Sequence, residues 1–157
     1  MPPEQPIESV SDLKIQLATF EDFDEIVRVW RESWLSTGLA EPGDPDVPQL
    51  KARIASHDSK NWKIYIANSR DGILGFIVFE FEKRWVRQLF VRPPDQGRGV
   101  GTGLLNIAKA EMPDGFWLRT DVLNLPTRRF YEERAMHLDR EGLHSDTGKL
   151  MATYVWP

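Results

Sequence analysis

From Ile73 to Phe79 the chain reads Ile-Leu-Gly-Phe-Ile-Val-Phe. In an extended segment Leu74, Phe76 and Val78 share one face, and Ile73, Ile77, Phe79 and Phe81 the other. A strand apolar on both faces must be covered on both, so it belongs in the middle of a sheet with helices above and below. The remaining segments supply those layers. Mixed strand-like and helix-like stretches, in a chain of 157 residues with room for one core, imply an α/β fold: a single-domain three-layer α/β/α sandwich around a mixed central sheet.

Residues 1–13, with Pro2, Pro3 and Pro6, read as a loose N-terminal tail, leaving 14–157 as the domain. Ile15 and Leu17 alternate as a short strand, and Thr19 offers a helix cap. Phe23, Ile26, Val27, Trp30 and Trp34 then recur at helical spacing. The Pro/Gly-rich stretch Ser36 to Pro48, followed by a short helix to about Ser56, suggests a lid. Lys63 to Asn68 and Ile73 to Glu82 read as a hairpin around Asp71-Gly72. Strands follow at Trp85–Val91, Phe116–Leu123, Leu138–Leu143 and Leu150–Val155; Leu104, Leu105, Ile107 and Ala108 mark a helix beginning near Gly101, and a short helix runs over Pro126–Arg134.

Several chemistries are excluded. The chain has no Cys, hence no disulfide, no thiolate ligand and no cysteine acyl-enzyme. His57, His137 and His144 lack the spacing that builds a metal site on a helix, so no metal is expected. No Gly-x-Ser-x-Gly elbow is present. A net charge of −4 without a broad basic face argues against nucleic acid. The longest apolar run is too short for a membrane span, and Met1-Pro2-Pro3-Glu4 does not resemble a signal peptide, so the expectation is a soluble, cytoplasmic protein. Charge is unevenly spread: Arg84 to Arg134 holds nine basic and six acidic residues, leaving a net −7 elsewhere. The middle segment suits an anion, and the acidic remainder leans toward a small cationic acceptor.

Between the strand ending at Val91 and the next helix lies Gln96-Gly97-Arg98-Gly99-Val100-Gly101-Thr102-Gly103. Alternate glycines let successive backbone N–H groups face one ligand, and the free N–H groups of the following helix add partial positive charge. This is a pyrophosphate cradle. The dinucleotide fingerprint fails because the sixth position from Gly97 is Thr102 and from Gly99 is Leu104, and no Lys-Ser/Thr pair completes a P-loop.

Gln96-x-x-Gly99-x-Gly101 after an apolar strand resembles the acetyl-CoA motif of the GNAT superfamily of N-acetyltransferases. Asn124, followed by Phe130-Tyr131, is similar to that family's later motif, and Ile15 to Trp34 resembles its first strand and helix, so the likeness covers nearly the whole chain. The resemblance implies a splayed sheet in which backbone groups of Leu89, Phe90 and Val91 meet the pantetheine arm of acetyl-CoA, with one N–H steadying the oxyanion. It implies that Gln96, Gly97, Arg98, Gly99, Val100, Gly101 and Thr102 hold the pyrophosphate, that Arg129 meets a phosphate, and that Tyr131 is the acid for the departing thiolate. Asn124 would bond the arm or cap the helix it precedes.

Two positions depart from the family pattern. Ala135-Met136 stands where Gly-Phe is common; if residue 135 must be left-handed, Ala costs about 1 kcal/mol. Trp85-Val86-Arg87-Gln88 holds no Glu where many members place a general base. Glu80 and Glu82, read as sharing a face at the end of the third strand, and Asp121 on the fifth are the alternatives, directly or through water. Trp34 and Asp121 are candidates for the acceptor pocket. The implied activity is transfer of an acetyl group to a primary amine, small-molecule or peptide, by a monomer or homodimer. A CoA-binding module without turnover is the alternative.

Overall fold

The computed structural model describes residues 13–56 and 60–157. Residues 1–12 of the expected tail, and His57, lie outside the described residues, whereas Leu13 packs against the core. Strand β1 (Lys14–Leu17) leads through a short 3-10 turn to α1 (Phe23–Ser36), then α2 (Val47–Ala55). Next come β2 (Trp62–Ser69), β3 (Gly72–Glu80), β4 (Trp85–Val91), α3 (Val100–Glu111), β5 (Phe116–Asp121), α4 (Leu125–Glu132), β6 (His137–Leu143) and β7 (Leu150–Trp156).

The strands form one mixed sheet in the order β1-β2-β3-β4-β5-β7-β6. As its sequence requires, β3 is central, with Ile73 to Phe79 buried throughout. On one face Ile26, Val27, Val29 and Trp30 of α1 and Leu50 and Ile54 of α2 pack against Ile66, Phe76 and Val78. On the other, Val100, Leu104, Leu105 and Ala108 of α3 and Tyr131 of α4 pack against Leu74, Ile77, Phe79 and Leu118. The expected faces of β3 need one correction: Leu74 sides with Ile77 and Phe79, and Ile73 with Phe76 and Val78, because Leu74 is an extra residue between the partners of Ala67 and Asn68 and the alternation shifts there.

Two further expectations need correction. Strand β3 ends at Glu80, not Glu82, because the chain must turn over Phe81 to Arg84 to enter β4; Arg84 N–H bonds Phe81 O at 3.0 Å with Arg84 at φ 49°. Glu82 is therefore an exposed turn residue and shares no strand face with Glu80. The loop between α1 and α2 is pinned down: Asp44 accepts from Trp34 Nε1 at 2.6 Å, from Glu41 N–H at 2.9 Å and from Lys149 Nζ at 3.4 Å, which ties it to the turn between β6 and β7.

Neighbours β4 and β5 run parallel but are registered only at Trp85 and Trp117, with Trp117 N–H on Arg84 O at 2.9 Å. Beyond that bridge they part. Stacked indoles of Trp85 and Trp117, 4.9 Å apart and 3° from parallel, close the narrow end of the gap.

Candidate active site

Backbone geometry explains what faces the gap. Arg92 N–H bonds Leu74 O at 2.7 Å, which marks 92 and 74 as a hydrogen-bonded pair. Antiparallel pairs alternate, so Phe90 with Phe76 is bonded too, while Val91 opposite Gly75 and Leu89 opposite Ile77 are not. Leu89 and Val91 thus turn their backbone N–H and C=O toward the gap, and Phe90 does not. Expecting Phe90 backbone groups at the ligand needs this correction; its ring packs on Trp30 and Phe76. The Val91 carbonyl accepts from Ser33 Oγ at 2.9 Å and from the Gln96 side chain at 3.0 Å. Left without a partner among the described residues are the N–H and C=O of Leu89 and the N–H of Val91.

Where β4 ends, Asp95 is buried and bonds Arg92 at 2.6 Å and Arg98 at 2.9 Å, shaping the loop that follows. Gly97 and Gly99 adopt left-handed φ of 76° and 83°, a region costly for other residues. The amides of Gly97, Arg98, Gly99, Val100, Gly101 and Thr102 then have no acceptor among the described residues, and α3 starts at their centre. Six oriented donors without acceptors fit a pyrophosphate. Gln96 donates to Val91 and Arg98 to Asp95, so these two side chains brace the loop. Thr102 Oγ1 accepts from Arg134 Nε at 2.8 Å, with the Arg134 guanidinium 3.8 Å over the Phe130 ring. Arg134 is thus a cation at the cradle that the sequence did not single out, while Arg129 is exposed on α4.

Tyr131 is 5% exposed and lies in the core layer that includes Val100 and Leu118, with Leu89, Val91 and Phe130 packed alongside. Its hydroxyl has no hydrogen bond among the described residues. Burial pushes the phenol well above its ordinary pKa, so it stays protonated and can donate. Asn124 caps α4, its side chain accepting from Thr127 N–H at 3.3 Å. Ala135 is left-handed at φ 65°, the strained position the sequence anticipated.

On the α1/α2 side of the gap, Arg87 and Arg119 each stand two residues beyond the Trp85–Trp117 bridge. Arg87 lies 4.2 Å from the Trp85 ring centre and 4.3 Å from that of Trp62; Arg119 lies 5.2 Å from that of Trp85. Glu80 is 8% exposed and accepts from Arg87 at 2.6 Å and Trp62 Nε1 at 3.0 Å, with Lys83 at 3.5 Å. Both of its carboxylate oxygens are thus held by side chains of the protein. With Glu82 it lines a cavity of about 360 Å³ beside Asn61, Trp62, Lys83 and Arg87. Asp121 stands four residues beyond the bridge on β5, as Leu89 does on β4, and its Oδ1 accepts from Leu123 N–H at 2.9 Å.

This arrangement has relatives. The sequence model of the acetyltransferase (GNAT) family matches residues 23–136, which include the cradle, the gap and Tyr131.

The chain belongs to the GNAT acetyltransferase family.

Solved structures agree in fold. The apo form of YjaB from Escherichia coli superposes with a TM-score of 0.74 at 19% identity, covering 92% of this chain and 97% of that one. The PaiA N-acetyltransferase from Thermoplasma acidophilum, in complex with coenzyme A, gives 0.70 at 17% identity over 90% and 98%. The ribosomal-protein-S18-alanine N-acetyltransferase from Escherichia coli gives 0.71 at 14% over 92% and 93%. No curated protein sequence matches the chain significantly. Membership implies acetyl-CoA-dependent acetyl transfer. Among the described residues of this GNAT protein no helix is long and apolar enough to cross a membrane, and no His, Asp and Glu cluster could hold a metal.

The GNAT fold brings the cradle glycines, Leu89, Val91 and Tyr131 to one groove. Trp34 and Asp121 lie on the α1/α2 side, Trp34 committed to Asp44 and under Lys149 at 4.7 Å. Sequence reasoning missed Arg119, Arg134 and His144. The alternation Trp117, Arg119, Asp121 against Phe116, Leu118, Thr120 carried the signal for the first.

Proposed function

We propose that this protein is an acetyl-CoA-dependent N-acetyltransferase that acts on a primary amine by direct attack, without an acyl-enzyme. The observation that carries this reading is the row of amides from Gly97 to Thr102, unpaired among the described residues, continuous with the free N–H and C=O of Leu89 and the free N–H of Val91. Together they match a ligand with a pyrophosphate at one end and an amide-bearing arm at the other. Bound acetyl-CoA supplies an acyl group activated as a thioester.

Cradle amides bind the pyrophosphate, and Leu89 and Val91 bond the arm as a neighbouring strand would. An N–H on β4 steadies the negative charge that develops on the carbonyl oxygen. The amine nitrogen forms the new C–N bond as the C–S bond breaks. Its surplus proton leaves through water toward Asp121, whose Oδ1 accepts from Leu123 N–H and whose Oδ2 has no hydrogen-bond partner among the described residues, and the Tyr131 hydroxyl protonates or hydrogen-bonds the departing sulfur. Glu80 holds Arg87 instead of serving as base.

Calorimetry with acetyl-CoA, paired with a thiol-reagent assay of CoA release on a panel of amines, tests this reading. Because the chain has no Cys, the reagent meets no protein background. Tight binding with release that depends on the amine is expected. Binding without release would make the protein a CoA-binding module, and no binding would end the reading.

A further inference from the structure

On the acceptor side of the gap Glu80 is engaged by Arg87, while the second guanidinium, Arg119, is short of acceptors. The Arg119 guanidinium has no carboxylate within ion-pair distance among the described residues; Asp146 acts on it only from farther away. Its Nη2 lies 3.0 Å from His144 Nε2. Yet Nδ1 of the same ring accepts from the turn amides of Asp146 at 3.1 Å and Thr147 at 3.3 Å. A neutral imidazole has one acceptor nitrogen. With Nδ1 used by the turn, Nε2 carries the hydrogen, and two donors face each other. Nearby, Trp85 Nε1 is buried without an acceptor among the described residues. Burial first, then the Arg87 charge, lowers the Arg119 pKa, as expected for a cation lacking its counterion.

Facing donors and an uncompensated, stacked guanidinium describe a site built for an oxyanion. We propose that the acceptor amine also carries a carboxylate, bound by Arg119 Nη2 and His144 Nε2–H, so that the substrate is an amino acid or a close relative of one. Arg119 is the specificity-determining residue. Arg87 and Trp85 position its guanidinium by charge and by stacking. Asp121, two residues on along β5 and on the same face, stands where the amine end of such a molecule would reach the gap. Overall charge leaned toward a small cationic acceptor, but charge summed over a chain says little about one groove, and two guanidinium groups, Arg87 and Arg119, stand on this side of the gap.

This inference rests on the acetyltransferase reading, and one experiment separates the two. CoA release is measured with matched acceptors: free amino acids, their methyl esters, the corresponding decarboxylated amines, aminoalkyl phosphates and a polyamine. Kinetics are repeated in Arg119→Gln and Arg119→Lys. The expected result is turnover of free amino acids with a KM at least about tenfold below that of the esters and amines. Arg119→Gln should raise KM for the free acids by at least about tenfold, leave the KM for acetyl-CoA and for the esters alone, and be partly restored by Lys. Preference for aminoalkyl phosphates, lost in the same way, would keep the oxyanion site and overturn the carboxylate. Equal or better turnover of esters, amines or the polyamine overturns the proposal while the acetyltransferase reading stands, and so does acetyl-CoA binding with no turnover of any carboxylate-bearing acceptor. If Arg119→Gln fails to fold, the comparison of acids with esters on the parent protein decides alone. Failure to bind acetyl-CoA at all would bring down both readings.

Discussion

Gly101 presents its bare Cα to the Phe130 ring: a β-carbon there would stand 3.1 Å from Cζ and 3.2 Å from Cε1. The first turn of α3 and the helix bearing Tyr131 are thus fitted to each other within a methyl group. Phe130 has little room to yield, lying under Arg134 and edge-on to Tyr131 at 5.5 Å. Gly101→Val should cost about 1–3 kcal/mol of stability by overpacking and weaken acetyl-CoA binding by displacing the cradle amides. Thermal melts and calorimetry check both; an unchanged Tm would show the contact to be slack.

At Gly99 the constraint is of a different kind, since a side chain would have open space but a left-handed backbone. Gly99→Glu should reduce acetyl-CoA affinity by several kcal/mol by bringing a negative charge to the cradle. Gly99→Asn, which tolerates that backbone and carries no charge, should lose far less. Equal losses by calorimetry would remove the electrostatic account.

Tyr131→Phe keeps the ring and removes a hydroxyl that has no acceptor among the described residues. Turnover should fall about 10²- to 10⁴-fold with acetyl-CoA affinity little changed, because the lost interaction strengthens only as charge gathers on sulfur. Activity within about threefold of the parent, in a folded protein, would end that role.

For the amine proton, Asp121→Asn should lower the rate more at pH 7 than at pH 9, where a free amine begins to deprotonate unaided. Glu82→Gln, altering an exposed turn residue, should change it little. A profile lowered equally at both pH values in Asp121→Asn would mark that residue as structural.

Away from the groove, Glu111 accepts from the Tyr65 hydroxyl and from Lys63 Nζ, the latter at 2.9 Å, and these bonds hold its carboxyl below the ordinary value. A depressed folded value means the stabilisation is complete above about pH 4.5 and fades as the pH falls through the folded pKa. Glu111→Gln should remove about 1 kcal/mol at neutral pH, given the partial exposure of the pair, and flatten the acid limb of the stability curve. Urea midpoints from pH 3 to 7 would show whether that limb persists.

The central position of β3 was legible because two-faced apolarity needs no partner to be recognised, and the cradle was legible because left-handed turns demand glycine. What escaped depended on register. One extra residue, Arg87, sits in β4 between the partners of Val78 and Phe79, and parity along the strand decides that Leu89 and Val91 face the gap and Phe90 does not. Glu82 was misplaced because Phe81 prolongs the apolar alternation past the point where the chain turns. The His144–Arg119 contact joins a hairpin turn to β5 across 25 residues, and no local pattern announces it.

A sheet whose two arms share a single backbone bridge, at Trp85 and Trp117, transmits little cooperativity from one arm to the other. An extended ligand lying between β4 and β5 would act as the absent strand, coupling the arms and slowing amide exchange at Leu89 and Val91. The folding equilibrium then becomes a gauge of occupancy: at a hundredfold excess over Kd, binding adds about 2.7 kcal/mol to the unfolding free energy. Inside a cell, the lifetime of this protein against proteolysis would rise and fall with the supply of the coenzyme thioester.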